Sequence, residues 1–134
     1  LKMCAARKES LLLTDIVLML KDDNEKVRAE AVNTLAVLKD FRALNFIINC
    51  IHDSSEEVRL AAAKGLRNFA DPRSLNALKV LLNSSREEIV CEALYSFGVI
   101  GDSTVYQMIK NYFEKSKSKK IRKCAIEVLR VLEE

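Results

Sequence analysis

The chain has 134 residues, of which 49% are hydrophobic and 31% charged, with only three glycines and one proline. Its net charge of +3 is too small to indicate nucleic-acid binding by the molecule as a whole. No apolar run approaches the roughly 18–20 residues that span a bilayer, so no membrane partner is expected. So few helix breakers among so much alanine, leucine, lysine and glutamate predict an all-α fold.

A pattern of about 31 residues recurs along the chain. The pair Val58-Arg59 aligns at this spacing with Val27-Arg28 and Ile89-Val90, and one residue late with Ile121-Arg122. Three positions after each pair stands an alanine: Ala31, Ala62, Ala93 and Ala125. A fixed period between 20 and 50 residues is typical of repeat arrays. The sequence therefore predicts a right-handed α-solenoid of stacked helical hairpins.

In chain order, a partial repeat (residues 1–22) comes first, followed by full repeats at 23–53, 54–84 and 85–115. A second partial repeat, 116–134, completes one domain spanning residues 1–134. The opening repeat is expected to hold a helix from Glu9 to Lys21, with its apolar face at Leu13, Ile16, Met19 and Leu20. The chain lacks an initiating Met, and we expect it to be a fragment of a longer protein.

Each full repeat is predicted to pair a first helix, A, with a second helix, B. In the first full repeat, helix A runs from about Glu25 to Leu38, and Asn24 and its neighbours can cap its N-terminus. Its helix B runs from about Phe41 to His52. The breaks at Asp71-Pro72 and Gly101-Asp102 are typical turn chemistry, with Gly101 suited to the left-handed conformation that ends a helix.

The last predicted helix runs from about Lys119 to Glu133 and is the A helix of the fourth repeat. Its apolar stripe consists of Ile121, Ala125, Ile126, Leu129 and Leu132. Because a repeat helix cannot bury its stripe alone, this helix is expected to pack on further repeats or on another copy of the chain. Between layers, the core is predicted to be filled by Leu35, Leu66, Phe97 and Leu129.

No catalytic, metal or cofactor chemistry is predicted, and the chain is expected not to be an enzyme. His52 is the single histidine, and no glycine-rich phosphate loop is present. The cysteines lack the spacing of a zinc site and occupy positions where a small hydrophobic residue would serve: Cys4, Cys50, Cys91 and Cys124. Disulfides are not expected, which favours a reducing, cytoplasmic setting.

The repeat unit resembles a HEAT repeat, of the short type first noted in phycobilisome lyases. That pattern places acidic residues before a Val-Arg pair, then alanines, a leucine and a Gly-Asp turn. The second repeat matches it with Glu57-Val58-Arg59, Ala62-Ala63 and Leu66. The third departs by carrying Val90 in place of the arginine but keeps Gly101-Asp102.

The resemblance implies that Arg28, Arg59 and Arg122 each reach the turn acid of a neighbouring repeat and build a ladder. The HEAT-fold deoxyhypusine hydroxylases bind iron through repeated His-Glu pairs, and this sequence contains no such pair, so that activity is not expected. The resemblance to bilin lyases implies one alternative function, that of an accessory or lyase-like subunit of an enzyme complex.

The resemblance also implies that the B helices line a concave surface. Their predicted solvent-facing side chains begin with Thr14, Val17, Leu18 and Lys21 in the opening repeat. In the full repeats the predicted partner-binding residues are Asn45, Asn49, His52, Asn76, Lys79, Asn83, Gln107, Lys110 and Asn111. Amides interleaved with aliphatic side chains suit a protein or peptide surface better than a phosphate backbone. A non-catalytic interaction scaffold is therefore the predicted function.

The alternative is a nucleic-acid-binding module that uses a basic patch near the last helix. Its lysines are Lys115, Lys117, Lys119, Lys120 and Lys123, with Arg122 among them. Such a cluster could neutralise phosphates and give salt-dependent binding. No aromatic residue interleaves with the lysines in sequence, and the cluster is concentrated at one loop.

Overall fold

The structure, a computed structural model, describes residues 12–133. Regular structure within this range is helical, with no strand, as the composition predicted. The chain divides into two compact units, Leu1–Phe69 and Ala70–Glu134. No helix among the described residues is both long and apolar enough to cross a bilayer.

The first unit contains four described α-helices: α1 (residues 12–19), α2 (Glu25–Leu38), α3 (Phe41–Asn49) and α4 (Glu56–Phe69). A 3-10 turn, Cys50–His52, continues α3. Helices α2 and α4 pack side by side, and α3 contacts both. These bounds confirm the predicted A and B helices of the first repeat.

The second unit contains α5 (Leu75–Leu81), α6 (Glu87–Ile100), α7 (Tyr106–Lys115) and α8 (Lys119–Glu133). Short 3-10 turns, Pro72–Ser74 and Ser103–Val105, precede α5 and α7. Helix α6 packs against α5 and α8, and α7 also packs against α8. The range of α8 confirms the predicted final helix.

The core is built on the alanine and leucine columns of the repeat. Leu35, Leu66 and Phe97 have no exposed surface, whereas Leu129, predicted to fill the core with them, is only half-buried. The four repeat alanines are also buried, because a small side chain lets two helices approach closely. At Gly65 the approach is closer still, since a β-carbon there would lie 3.2 Å from the Ala36 β-carbon.

Two residues placed on buried faces by their periodicity are exposed. Met19 is 50% exposed at the end of α1, which stops at residue 19 instead of continuing to Lys21. Ile126 is 37% exposed, although Leu94, its counterpart in α6, is fully buried. The predicted helix start at Glu9 lies outside the described residues.

The loop before each A helix carries the same local hydrogen bond. In every copy, a side-chain oxygen accepts the backbone N–H two residues further on. The accepting residues are Asp22, Asp53, Ser84 and Ser116. Such Asx and Ser turns order the chain locally and lead it into the next helix.

The turn between the A and B helices is also repeated. Asp40, Asp71 and Asp102 each accept the backbone N–H two residues on, which confirms the predicted turns at Asp71-Pro72 and Gly101-Asp102. Arg42 binds the Asp40 carboxylate and holds the pKa of that carboxyl down at about 2. The residue before each aspartate lies in the left-handed region, with φ of 51° at Lys39, 48° at Ala70 and 74° at Gly101.

The left-handed backbone at Ala70 should be relieved by glycine. We expect Ala70→Gly to raise the free energy of unfolding by about 0.5–1 kcal/mol, because the steric cost of an L side chain there exceeds the extra chain entropy of glycine. The reciprocal Gly101→Ala should lower it by about 1 kcal/mol. Urea denaturation followed by circular dichroism measures both, and an unchanged Ala70→Gly midpoint would contradict this strain.

Candidate functional site

In the first unit, the predicted partner-binding residues lie on the outer face of α3 and on the turn that follows it. Asn45, Asn49 and His52 are all exposed, whereas Ile47 on the other side of α3 is fully buried. Asn45 and Asn49 lie four residues apart, so helical periodicity places both amides on one face. The prediction that these side chains face solvent is confirmed.

A groove of about 360 Å³ lies between α1 and α3 beside Asn49. Leu18, 62% exposed, and Phe46, 41% exposed, contribute apolar surface to it. Sequence reasoning placed Leu18 and Asn49 at the surface but missed Phe46, which lies one position before the buried Ile47. An exposed aromatic next to an amide can hold an apolar side chain while the amide hydrogen-bonds a peptide backbone.

In the second unit, the predicted binding residues of α5 and α7 are likewise exposed. They are Asn76, Lys79 and Asn83 on or just after α5, and Gln107, Lys110 and Asn111 on α7. The Gln107 Nε2 donates to the Asn111 Oδ1 at 3.1 Å. This pair orients two amides along one turn of α7.

The basic patch extends further along α8 than the sequence indicated. Its lysines are all exposed, at the end of α7 (Lys115), in the loop (Lys117) and on α8 (Lys119, Lys120 and Lys123). A groove of about 670 Å³ is lined by Lys117, Lys119, Arg122, Lys123, Ile126, Glu127 and Arg130. Arg130, outside the predicted patch, therefore joins the cluster because it lies on the same face of α8.

An aromatic ring lies against this patch, although none interleaves with it in sequence. The Arg122 guanidinium carbon is 4.8 Å from the centre of the Phe113 ring on α7. This cation–π contact holds the Arg122 side chain of α8 against α7. No salt bridge joins Arg122 to a turn acid among the described residues. The prediction that Arg122 belongs to an arginine–acid ladder is therefore wrong.

The other two arginines bind one common residue, Asp53, which is not a turn acid. Arg28 donates through Nε and Nη2 to the two carboxylate oxygens of Asp53, both at 3.1 Å. Arg59 donates to the backbone carbonyl of the same Asp53 at 2.6 Å. The shared acid lies in the loop before α4, whereas the turn acids Asp40 and Asp71 cap their own helices. The predicted ladder is therefore corrected to a three-residue cluster, Arg28–Asp53–Arg59.

Each of the two ladder arginines also reaches the carbonyl oxygen six residues before it. Arg28 donates to the Asp22 carbonyl at 2.8 Å, and Arg59 to the Asp53 carbonyl. The arginine thus satisfies a loop carbonyl at the entry to its own helix. Both arginines therefore hold loops in place, which agrees with the structural role that the HEAT-repeat resemblance implied.

Residues 13–96 match the family of HEAT repeats. The chain belongs to the HEAT repeat family. The match covers residues 13–19 of α1, all of α2 to α5 and most of α6. No curated protein sequence matches the chain significantly.

Solved structures with the same helical-repeat fold include natural and designed proteins. In the phycocyanin lyase complex of CpcE and CpcF from Nostoc sp. PCC7120, the similar chain has a TM-score of 0.77 and 22% identity, covering 92% of this chain and 53% of that one. Human deoxyhypusine hydroxylase in complex with glycerol has a TM-score of 0.78 and 22% identity, covering 96% and 46%. This HEAT-repeat chain spans about half the length of these two proteins.

A designed armadillo repeat protein in complex with the peptide (KR)4 is also similar, with a TM-score of 0.72 and 22% identity. That match covers 92% of this chain and 65% of the designed one. At this identity, all three similarities show the fold alone. Within the described HEAT repeats, no three His, Cys, Asp or Glu side chains cluster so that they could hold a metal ion.

Proposed function

We propose that this HEAT-repeat chain is a non-catalytic protein-interaction module that binds a peptide or an extended protein segment on its B helices. The observation that carries the proposal is the exposed face of α3, where Asn49 lines the groove with Leu18 and Phe46, and Asn45 lies one helical turn before Asn49. An extended peptide needs hydrogen-bonding groups for its backbone and apolar recesses for its side chains, and this face offers both.

The peptide-bound armadillo protein of similar fold supports the proposal, because it shows that helical repeats of this kind can hold a peptide. The similarity to one chain of a lyase complex supports a protein partner in the same limited sense. The amides of α5 and α7 extend the proposal to the second unit, where Asn76, Asn83 and the Gln107–Asn111 pair supply the same chemistry.

A peptide library displayed on phage tests the proposal directly. We expect selection on the wild-type chain to enrich peptides whose affinity falls at least tenfold for Asn45→Ala/Asn49→Ala, since two backbone-binding amides are lost. The matched control is Asn33→Ala, an exposed asparagine on α2, which should bind the same peptides as the wild type. Equal affinity for all three proteins, or no enrichment, would contradict the proposal.

Nucleic-acid binding through the α8 groove is the second candidate, favoured by its five cationic side chains and the Arg122–Phe113 contact. Duplex DNA and single-stranded RNA are the probes in a parallel arm of the same experiment. Binding that weakens steeply with salt and is lost in Lys119→Glu/Lys120→Glu would favour this candidate. The selected peptides should bind that double variant normally if the B helices are the site.

A further inference from the structure

Two thiols from different helices meet in the interior of the second unit. Cys91 on α6 and Cys124 on α8 are each 5% exposed, and their sulfur atoms lie 2.9 Å apart. Both are free cysteines. This distance is shorter than the ordinary contact of two sulfur atoms, so little movement separates them from a bond.

The groups around the pair leave both sulfur atoms available to each other. The Cys91 sulfur lies 4.0 Å from the Lys120 carbonyl oxygen, the limit of a weak S–H hydrogen bond. The Tyr95 hydroxyl donates to Glu127 at 2.7 Å, and its hydrogen bonds with Cys124 and Glu127 raise the pKa of Tyr95. The surroundings therefore fix the position of Cys124 without occupying the space between the sulfurs.

Helix packing alone does not require sulfur at these two positions. In repeat register, Cys91 corresponds to Ala29 on α2, and Cys124 corresponds to Ala61 on α4. Helices α2 and α4 pack side by side as α6 and α8 do. The first unit thus has alanine at both corresponding positions, which leaves the chemistry of the thiols as the distinctive feature of the second.

We propose that Cys91 and Cys124 are a dithiol site that a peroxide oxidises to an intramolecular disulfide, joining α8 to α6. One thiolate attacks a peroxide oxygen, the O–O bond breaks, and a sulfenic acid and water form. The second thiol, after losing its proton, attacks the sulfenic sulfur and releases the oxygen as a second water. Two thiols and one hydrogen peroxide give one disulfide and two waters.

Burial sets the rate of this reaction. It raises the pKa of Cys91, so the thiol form of Cys91 predominates at neutral pH. Oxidant then reaches the pair through transient opening of α8, and oxidation is slow compared with that of an exposed, low-pKa cysteine. Once formed, the bond joins the helix that carries the cationic groove to α6.

The test is peroxide treatment followed by non-reducing tryptic mapping. Cleavage after Arg86, Lys110, Lys123 and Arg130 places the two cysteines in separate peptides, residues 87–110 and 124–130. We expect these peptides to appear linked in monomeric protein, with the intact mass lower by two hydrogens, and dithiothreitol should separate them. The melting temperature should rise on the order of 10 °C, since the bond constrains the unfolded chain.

Variants keep the test specific. Cys50→Ala should retain the link, whereas Cys91→Ala and Cys124→Ala, which place in the second unit the alanine already present in the first, should abolish it. Circular dichroism confirms that each variant is folded. Thiols that stay reduced, convert separately to sulfinic acids, or bond to Cys4, Cys50 or a second molecule would each overturn the proposal, and none of these results bears on peptide binding by the B helices.

Discussion

Truncating Leu66 to alanine should lower the free energy of unfolding by about 2–5 kcal/mol. Leu66 lies in α4 with no exposed surface, and the preceding Gly65 marks how closely Ala36 and Ile47 approach this helix. Neighbours packed this tightly cannot move in to fill the space, so the substitution leaves a cavity in addition to the lost apolar burial. Urea denaturation followed by circular dichroism measures the change.

Leu18→Ala is the matched control, because it removes the same atoms from a side chain that is 62% exposed. Its effect should stay below about 1 kcal/mol, since surface substitutions away from special features change stability little. If Leu66→Ala cost no more than Leu18→Ala, the assignment of the leucine column to the core would be wrong.

Removing the Asp53 carboxylate should cost about 1.5–3 kcal/mol, as loss of hydrogen bonds to a charged group does. Its oxygens accept two bonds from Arg28 and one from the Ser55 N–H at 2.9 Å, and the side chain is 15% exposed. Asp53→Ala leaves the guanidinium of Arg28 without its carboxylate but retains the backbone carbonyl that Arg59 binds. Equilibrium unfolding at pH 7 measures the loss.

The contribution of Asp53 should depend on pH in a defined direction. Partial burial raises the pKa of this carboxyl, but the bonds from Arg28 and Ser55 outweigh it, so the folded-state pKa lies below the ordinary 3.8. The stabilisation is therefore present above pH 3.8 and is lost as the pH falls through the folded-state value. The difference between wild type and Asp53→Ala should be equal at pH 7 and pH 5 and should shrink below pH 4.

Asp23→Ala is the control for this pair, because the exposed Asp23 meets Arg28 only through its backbone carbonyl. That substitution should change stability by less than about 0.5 kcal/mol. Arg28→Met should destabilise the wild type more than it destabilises Asp53→Ala, where Arg28 retains only its bonds to the Asp22 and Asp23 carbonyls. Additive effects of the two substitutions would show that the observed ion pair does not couple them.

The candidate site was predictable only where exposure follows from helical periodicity. Asn45, Asn49 and Asn76 are exposed as their positions on the B helices indicated. Phe46 was missed because an aromatic side chain beside a buried isoleucine gives no sign of facing solvent. Arg130 was missed because it lies seven residues beyond Lys123, the last lysine of the patch. The two side chains line one groove because they lie on the same face of α8.

The helices and turns of this fold follow from local sequence. Local hydrogen bonds and backbone angles, within a few neighbouring residues, set the helix ends and the Asx turns. They also explain the glycine at residue 101. The 31-residue period repeats these local signals. Which side chains meet between helices depends instead on how the helices pack. The pairing of Arg28 with Asp53, the contact of Arg122 with Phe113 and the approach of Cys91 to Cys124 each depend on how two helices are rotated and shifted against one another. Periodicity specifies the buried face of a helix but leaves its axial offset from a neighbour to side-chain packing.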